Sequence, residues 1–114
     1  MAEIESVTAE TWDEAVKNAA GLVLVDFWGP QCQPCLAMKP ELPAAVAQFP
    51  DVRLYALDVT KARRLCIREK VLGLPALLLY RDGQEIARLS GEDVTAASVG
   101  AWLGTVLQGP AGAQ

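Results

Sequence analysis

Two cysteines separated by two residues are the part of this sequence best suited to carry out chemistry. Cys32 and Cys35 enclose the dipeptide Gln33-Pro34, and a spacing of three places both sulfurs on one side of a helix that begins there. A helix N-terminus has a partial positive charge and free N–H groups, which stabilise a thiolate. Cys32 at the helix start would therefore attack a disulfide, and Cys35 would resolve the mixed disulfide that forms. Pro34 fits the first turn, where a missing N–H costs little.

A structural zinc site is the alternative interpretation of this pair. Zinc takes four ligands, but the chain has one further cysteine, Cys66, and no histidine. The absence of histidine also excludes Ser-His-Asp triads, Cys-His proteases and histidine pH switches. The sequence therefore favours redox chemistry with no metal and no organic cofactor. Cys66 itself is interpreted as a small buried hydrophobe, with a regulatory thiol as the alternative.

Length, charge and the N-terminal sequence limit the class of protein. The chain has 114 residues, enough for one domain, and ten basic against fourteen acidic residues give a net charge of −4. An acidic chain without a basic run argues against nucleic acid and anionic membranes as partners. The acidic start lacks the basic and apolar regions of a signal peptide, and no apolar run reaches the roughly 20 residues that span a membrane. We therefore expect a cytoplasmic protein.

Hydrophobic patterns predict strands and helices in alternation around the cysteine pair. Residues 22–28 are apolar on both faces, as in a central parallel strand, and Asp26 interrupts them. Pro40 should kink the helix that follows the cysteines, and Asp82-Gly83 predicts a tight hairpin turn. The predicted elements are a helix opened by the N-cap Thr8, a strand over 22–28, a helix over 32–49, a strand over 52–59, a helix capped by Thr60 to about 70, strands over 76–80 and 85–89, and a helix over about 95–107 that Gly109-Pro110 ends.

The order of elements predicts an α/β fold, and the motifs identify a family resemblance. The sequence resembles the thioredoxin family over nearly its whole length: Asp26-Phe27-Trp28 is similar to the strand that enters the family's active site, and Cys32 and Cys35 match its redox cysteines. Further matches are a proline between the cysteines, a helix-kinking proline, a cis-proline segment, the hairpin and a groove glycine, at Pro34, Pro40, Gly73-Leu74-Pro75, Asp82-Gly83 and Gly91. The resemblance implies a mixed β-sheet with helices on both faces in the order βαβαβαββα. The chain length and the Gly109-Pro110 stop predict one domain over residues 1–108, with a frayed tail over 109–114.

The resemblance implies a thiol–disulfide oxidoreductase that reduces the disulfides of client proteins and is itself reduced by a thioredoxin-reductase-like donor. Cys32 would be the nucleophile and Cys35 the resolving thiol. Asp26 would be the buried acid–base group that helps to deprotonate Cys35, with a raised pKa; a carboxyl satisfied by water or backbone, with no role, is the alternative. The implied substrate-binding residues are Trp28, Gln31, Gln33, Pro34, Leu74, Pro75 and Gly91.

Pro75 illustrates how such a groove would bind a client. In the family this proline follows a cis peptide bond, which would leave the backbone of Leu74 free to pair with an extended substrate. From the residues alone, an ordinary trans proline at a strand start is equally consistent. The resemblance further implies an electron carrier that acts as a monomer, contributes to cell redox homeostasis and binds no nucleic acid or membrane.

Departures from the family's pattern lie next to the cysteines and next to Asp26. Gln31 replaces an aromatic residue, Gln33 a glycine, and Leu36 a basic residue. In the expected register Ala56 replaces the lysine that pairs with the buried acid, so we expect Asp26 to lack a charge partner and to resist ionisation. Two other functions remain open: a non-catalytic binding module, and an oxidase or isomerase with a narrowed range of partners.

Overall fold

The fold is organised around the segment that the sequence predicts as a central strand. The computed structural model describes residues 4–112, and within them it has one five-stranded sheet. In chain order the elements are β1 (Glu5–Ser6), a π-helical turn (Asp13–Lys17), β2 (Leu22–Trp28), α1 (Gln33–Met38), a 3₁₀ turn (Lys39–Glu41), α2 (Leu42–Val46), β3 (Val52–Asp58), a second 3₁₀ turn (Val59–Lys61), α3 (Arg63–Arg68), β4 (Ala76–Arg81), β5 (Gln84–Ser90) and α4 (Ala96–Gly112). This order confirms the predicted βαβαβαββα pattern.

Strand β2 lies at the centre of the sheet, whose order is β1-β3-β2-β4-β5. It pairs in parallel with β3 and antiparallel with β4, so its backbone is hydrogen-bonded along both edges. One face of the sheet is covered by the π-helical turn and α3, with Trp12 packed against Phe27 at a ring-centroid distance of 6.0 Å. The other face is covered by α1, α2 and α4. No helix within residues 4–112 is long and apolar enough to cross a membrane.

Local capping interactions explain where the helices begin. Thr8 caps the first turn, because its Oγ1 accepts the Thr11 N–H at 3.2 Å, although regular helix follows only over Asp13–Lys17. Thr60 was the expected cap of the third helix, and that prediction is wrong. The Asp58 carboxylate instead caps the 3₁₀ turn by accepting the Thr60 N–H at 2.9 Å and hydroxyl at 2.7 Å. A short acidic side chain just ahead of the turn satisfies donors that Thr60 would have left free.

Prolines shape two of the helices. The helix predicted over 32–49 is broken into α1, a 3₁₀ turn that contains Pro40, and α2, because Pro40 has no N–H to continue the ladder. The predicted end of the last helix at Gly109-Pro110 is wrong, since α4 continues to Gly112; the fixed φ of proline, near −65°, is itself a helical value. The predicted frayed tail includes residues 113–114, which lie outside the described residues, so the domain boundary stays a prediction.

The Asp82-Gly83 turn joins β4 to β5 as predicted. Both residues have positive φ angles, 51° and 84°, which is the geometry of a two-residue type I′ hairpin. The turn also contacts the loop between the π-helical turn and β2, because Asp82 Oδ1 accepts the Gly21 N–H at 2.8 Å. A Cβ atom added to Gly83 would lie 2.0 Å from the Lys17 carbonyl oxygen. Glycine is therefore required there by both conformation and space.

We expect Gly83→Ala to lower the free energy of unfolding by about 2–4 kcal/mol, because it combines a strained φ with a backbone clash. Chemical denaturation measures this change. Gly104→Ala is the matched control: its Cβ would meet only Phe49, at 3.8 Å, and replacing a glycine inside α4 should stabilise by roughly 0.5–1 kcal/mol. Equal stability of Gly83→Ala and the wild type would contradict the argument.

Candidate active site

The two cysteines lie where β2 passes into α1. Cys32 and Cys35 form a disulfide with a Cα–Cα distance of 5.2 Å. Cys32 is the N-cap of α1, and its sulfur accepts the Cys35 N–H at 3.2 Å. The Cys32 N–H in turn donates to the Gly29 carbonyl at 3.0 Å, which closes the loop. The N–H that contacts the sulfur in the disulfide would stabilise a thiolate at the same position after reduction.

The two sulfurs differ in accessibility. Cys35 is fully buried, whereas Cys32 is partly exposed. Pro34 lies in the first turn of α1 between them, and Gln31 and Gln33 are exposed on either side of Cys32. A client disulfide can therefore reach the sulfur of Cys32 but not that of Cys35. This difference fixes the order in which the two thiols can act.

Asp26 is a buried carboxyl on β2. It is fully buried, and neither carboxylate oxygen has a hydrogen-bond partner among the residues that the structure describes. Burial raises its pKa from about 3.8 to about 7, while the positive charge of Lys39 lowers it in part. Its register partner on β3 is Ala56, as expected. The carboxyl therefore changes its charge near neutral pH, where proton transfer to and from a thiol is useful.

The strand register alone missed a lysine that acts on Asp26 without contacting its oxygens. Lys39 enters from the 3₁₀ turn after α1, and its Nζ lies 3.7 Å from the ring centroid of Trp28. A cation over an aromatic face is held by the ring's electron density. The strand register could not have shown this lysine, because it comes from a helix. The available signal was its position four residues after Cys35, on the same helical face.

The segment before β4 lies beside the cysteine loop. The Leu74–Pro75 peptide bond is cis, which confirms that prediction. The antiparallel pairing of Phe27 with Ala76 places Pro75 next to the end of β2. The Pro75 carbonyl accepts the N–H of Gly91 at 3.2 Å, and Gly91 is exposed with φ 126°.

The side chain of Leu74, in the segment before β4, also lies beside the cysteine loop. A Cβ atom on Gly29 would lie 3.3 Å from Leu74 Cδ1. Trp28, Leu74, Pro75 and Gly91 thus share the edge of the molecule that carries Cys32, while their roles in binding stay predictions.

Cys66 is elsewhere: it is a buried free thiol on α3, with a pKa raised by burial and by the nearby Glu69. That burial agrees with the interpretation of Cys66 as a small hydrophobe.

The raised pKa of Asp26 makes stability depend on pH. Between about 3.8 and about 7 the unfolded chain has lost this proton while the folded protein keeps it, so stability falls as pH rises through this window and levels off above it. We expect Asp26→Asn to abolish this slope and to stabilise the protein above pH 7 by on the order of 4 kcal/mol.

Denaturant unfolding at a series of pH values measures the slope. Asp51→Asn, at an exposed carboxyl in the turn before β3, is the control and should leave the slope in place. A slope that persists in Asp26→Asn would show that this carboxyl ionises normally in the folded protein.

Lys39 should lower the pKa of the Asp26 carboxyl. We expect Lys39→Met to raise the pKa of Asp26 above about 7, because the substitution removes the cation that lowers it. Carbon-13 NMR titration of the carboxyl group measures the change. Lys17→Met, on the exposed side of the π-helical turn, provides a matched loss of charge and should leave the pKa unchanged. An identical titration in wild type and Lys39→Met would exclude coupling between the two groups.

Comparison with known proteins agrees with this geometry. A family model described as Thioredoxin matches residues 3–104. The chain is 48% identical over 95 residues to a thioredoxin of Acetoanaerobium sticklandii, a match that covers 82% of this chain and 90% of the relative. It is 32% identical over 98 residues to a thioredoxin of Peptoclostridium acidaminophilum, covering 85% and 89%. It is 30% identical over 89 residues to thioredoxin-2 of Saccharomyces cerevisiae, covering 78% and 86%. With the bonded Cys32–Cys35 pair at the head of α1, the chain belongs to the thioredoxin family of thiol–disulfide oxidoreductases.

Proposed function

We propose that this protein reduces disulfide bonds of client proteins through Cys32 and Cys35 and is returned to its dithiol form by a reductase. The observation that carries the proposal is the disulfide between a partly exposed and a fully buried cysteine at the start of a helix. A non-catalytic binding module is not favoured, because it would need neither the bonded pair nor its difference in exposure.

The exchange follows from which sulfur is accessible. The Cys32 thiolate attacks one sulfur of the client disulfide, and the other client sulfur leaves as a thiolate. Cys35 then loses its proton and attacks the Cys32 sulfur, which releases the second client thiolate and leaves the Cys32–Cys35 disulfide. Two electrons have passed to the client, and the reductase must supply two electrons to restore the dithiol.

Asp26 is proposed as the group that takes the proton from Cys35. Among residues 4–112 it is the buried side chain that can change charge near neutral pH, with a pKa of about 7. A carboxyl with a normal pKa of about 4 would be too weak a base to help a thiol. No group within residues 4–112 hydrogen-bonds its oxygens, so they are free to receive the proton.

The proposed client groove lies along the cis-proline segment. The backbone at Leu74 and Pro75 would pair with an extended client strand, as in other cases of strand addition. Around this pairing site we place the side chains of Trp28, Gln31, Gln33, Pro34 and Gly91 as contact residues. The proposal includes a cytoplasmic electron carrier, because a dithiol reductant works only where a reductase keeps it reduced.

An insulin-reduction assay with dithiothreitol tests the activity. We expect Cys32→Ser to lower the rate to that of dithiothreitol alone, because the remaining sulfur of the pair is buried. Equal rates for Cys32→Ser and the wild type would support a non-catalytic module. A reduction potential well above roughly −270 mV, measured against glutathione, would instead assign the protein as an oxidase or isomerase.

Removing the second sulfur should trap clients. We expect Cys35→Ser to accumulate mixed disulfides on Cys32, because nothing resolves them, and non-reducing gels with peptide mapping identify the bonded cysteine. The matched control is the double variant Cys32→Ser/Cys35→Ser, which keeps Cys66 and should capture nothing. Equal capture by the double variant would identify Cys66 as the reactive thiol and overturn the assignment.

A further inference from the structure

A cleft of about 350 Å³ lies between α3 and the segment that leads into β4. We call it the α3 cleft. Its lining is mainly apolar, with one charged side chain, Arg63, among the residues that form it. The apolar lining residues are Val59, Cys66, Ile67, Val71, Leu72 and Leu74.

Two side chains on the α3 cleft are far more exposed than packing requires. Leu72 is 95% exposed and Ile67 73% exposed, while the next large apolar side chains within residues 4–112, Ile86 and Leu36, are 42% and 39% exposed. A single exposed leucine is common on protein surfaces. Two such side chains on one cleft concentrate exposed apolar surface in one place, which is typical of a binding surface.

The α3 cleft is continuous with the cysteine loop. Val59 and Leu74 line the cleft, and a Cβ atom on Gly29 would lie 3.6 Å and 3.3 Å from them. The Gly29 carbonyl accepts the N–H of Cys32 at 3.0 Å. A client segment that leaves Cys32 across Gly29 would therefore reach the α3 cleft.

The charge around the α3 cleft is opposite to that of the rest of the chain. Residues 61–70 contain five of the ten basic residues and one of the fourteen acidic residues, so their net charge is +4, against −8 for the remainder. The expectation of a chain without a basic run overlooked this segment. Of its charged residues, the structure pairs Arg68 with Glu69 at 3.5 Å. Arg63 and Arg64 are exposed and form no ion pair with any residue in 4–112.

These two arginines are poorly placed for helix stability. They occupy the first two positions of α3, and its first turn has no acidic residue. Cations at a helix N-terminus are unfavourable because of the helix dipole. The helix would therefore be more stable with acidic residues there, so the charge of these arginines does not contribute to the stability of α3.

Resting on the proposed function, we propose that the α3 cleft selects clients in which an apolar side chain, with carboxylates beside it, lies near the disulfide to be reduced. The apolar side chain fills the patch at Ile67 and Leu72. The carboxylates face Arg63, which lines the cleft and pairs with no carboxylate among residues 4–112. The sulfur exchange is unchanged, and the α3 cleft determines which clients bind well.

Synthetic peptides with one internal disulfide test the inference. The reference peptide has a leucine flanked by two glutamates near its disulfide; one analogue has lysines for the glutamates, and a second has glycine for the leucine. We expect wild-type kcat/KM to be roughly threefold or more higher for the reference peptide than for either analogue. The charge preference should shrink in about 0.5 M salt. Equal kcat/KM for all three peptides would overturn the inference.

Two substitutions separate the charge and apolar contributions. Arg63→Glu should abolish or reverse the preference for glutamate over lysine, and Leu72→Ser should abolish the preference for leucine over glycine. Arg81→Glu is the matched charge control, because Arg81 pairs with Leu22 at the opposite end of the sheet. Ile86→Ser on β5 is the matched apolar control. Preferences that survive in Arg63→Glu and Leu72→Ser, or that vanish equally in the controls, would contradict the inference.

Reduction of the small uncharged 2-hydroxyethyl disulfide distinguishes a failure of the proposed function from a failure of selection by the α3 cleft. If the wild type reduces it and insulin but shows no preference among peptides, the proposed function stands and the selection by the α3 cleft is wrong. If the wild type reduces none of the substrates, the proposed function fails, and the inference that rests on it fails too.

Discussion

The central position of β2 is the constraint on which the site depends. Because β3 and β4 hydrogen-bond to both of its edges, the end of β2 at Trp28 has little freedom to move. The loop from Gly29 to Cys32 and the start of α1 are therefore held by a rigid element, which is how precise sites are built. One sulfur then faces the surface and the other faces the core. Reactivity in this molecule is controlled by the exposure of two chemically identical side chains.

The same strand carries a group that opposes stability. Asp26 is buried, with no hydrogen-bond partner in the part of the chain that the structure describes, and a carboxyl in such a place costs free energy whenever it ionises. An apolar residue there would make a more stable sheet, so the acid is best explained by its chemistry. Lys39 moderates the cost without removing it, because it lowers the pKa of Asp26 from outside the sheet while its ammonium lies over Trp28. A cation at hydrogen-bond distance would lower the pKa of Asp26 further and make its carboxylate a weaker base.

Local signals in the sequence predicted most of the fold and the sulfur chemistry. The apolar run at 22–28, the cysteine spacing and the Asp82-Gly83 turn each depend on neighbours in the chain, so they could be interpreted without coordinates. Lys39 could not, because its effect on Asp26 depends on how a helix packs over a strand. The Thr60 cap failed for a different reason: a 3₁₀ turn precedes α3, so Thr60 lies inside that turn and donates to Asp58. The cis-proline was predicted only through the family resemblance.

The residues beside the cysteines and those of the α3 cleft have different roles in client binding. Gln31 and Gln33 leave the surface on both sides of Cys32 polar and uncharged, so this surface discriminates little between clients by charge. The exposed side chains of Ile67 and Leu72 and the charged side chain of Arg63 lie instead across Gly29, on α3 and the segment after it. Charge there acts on a client before the sulfurs meet, because electrostatic attraction extends over about 8–10 Å in physiological salt. Sulfur exchange acts only at bonding distance. Selection and exchange are therefore separated in space, and client preference can change through α3 without disturbing the strand that holds the sulfurs.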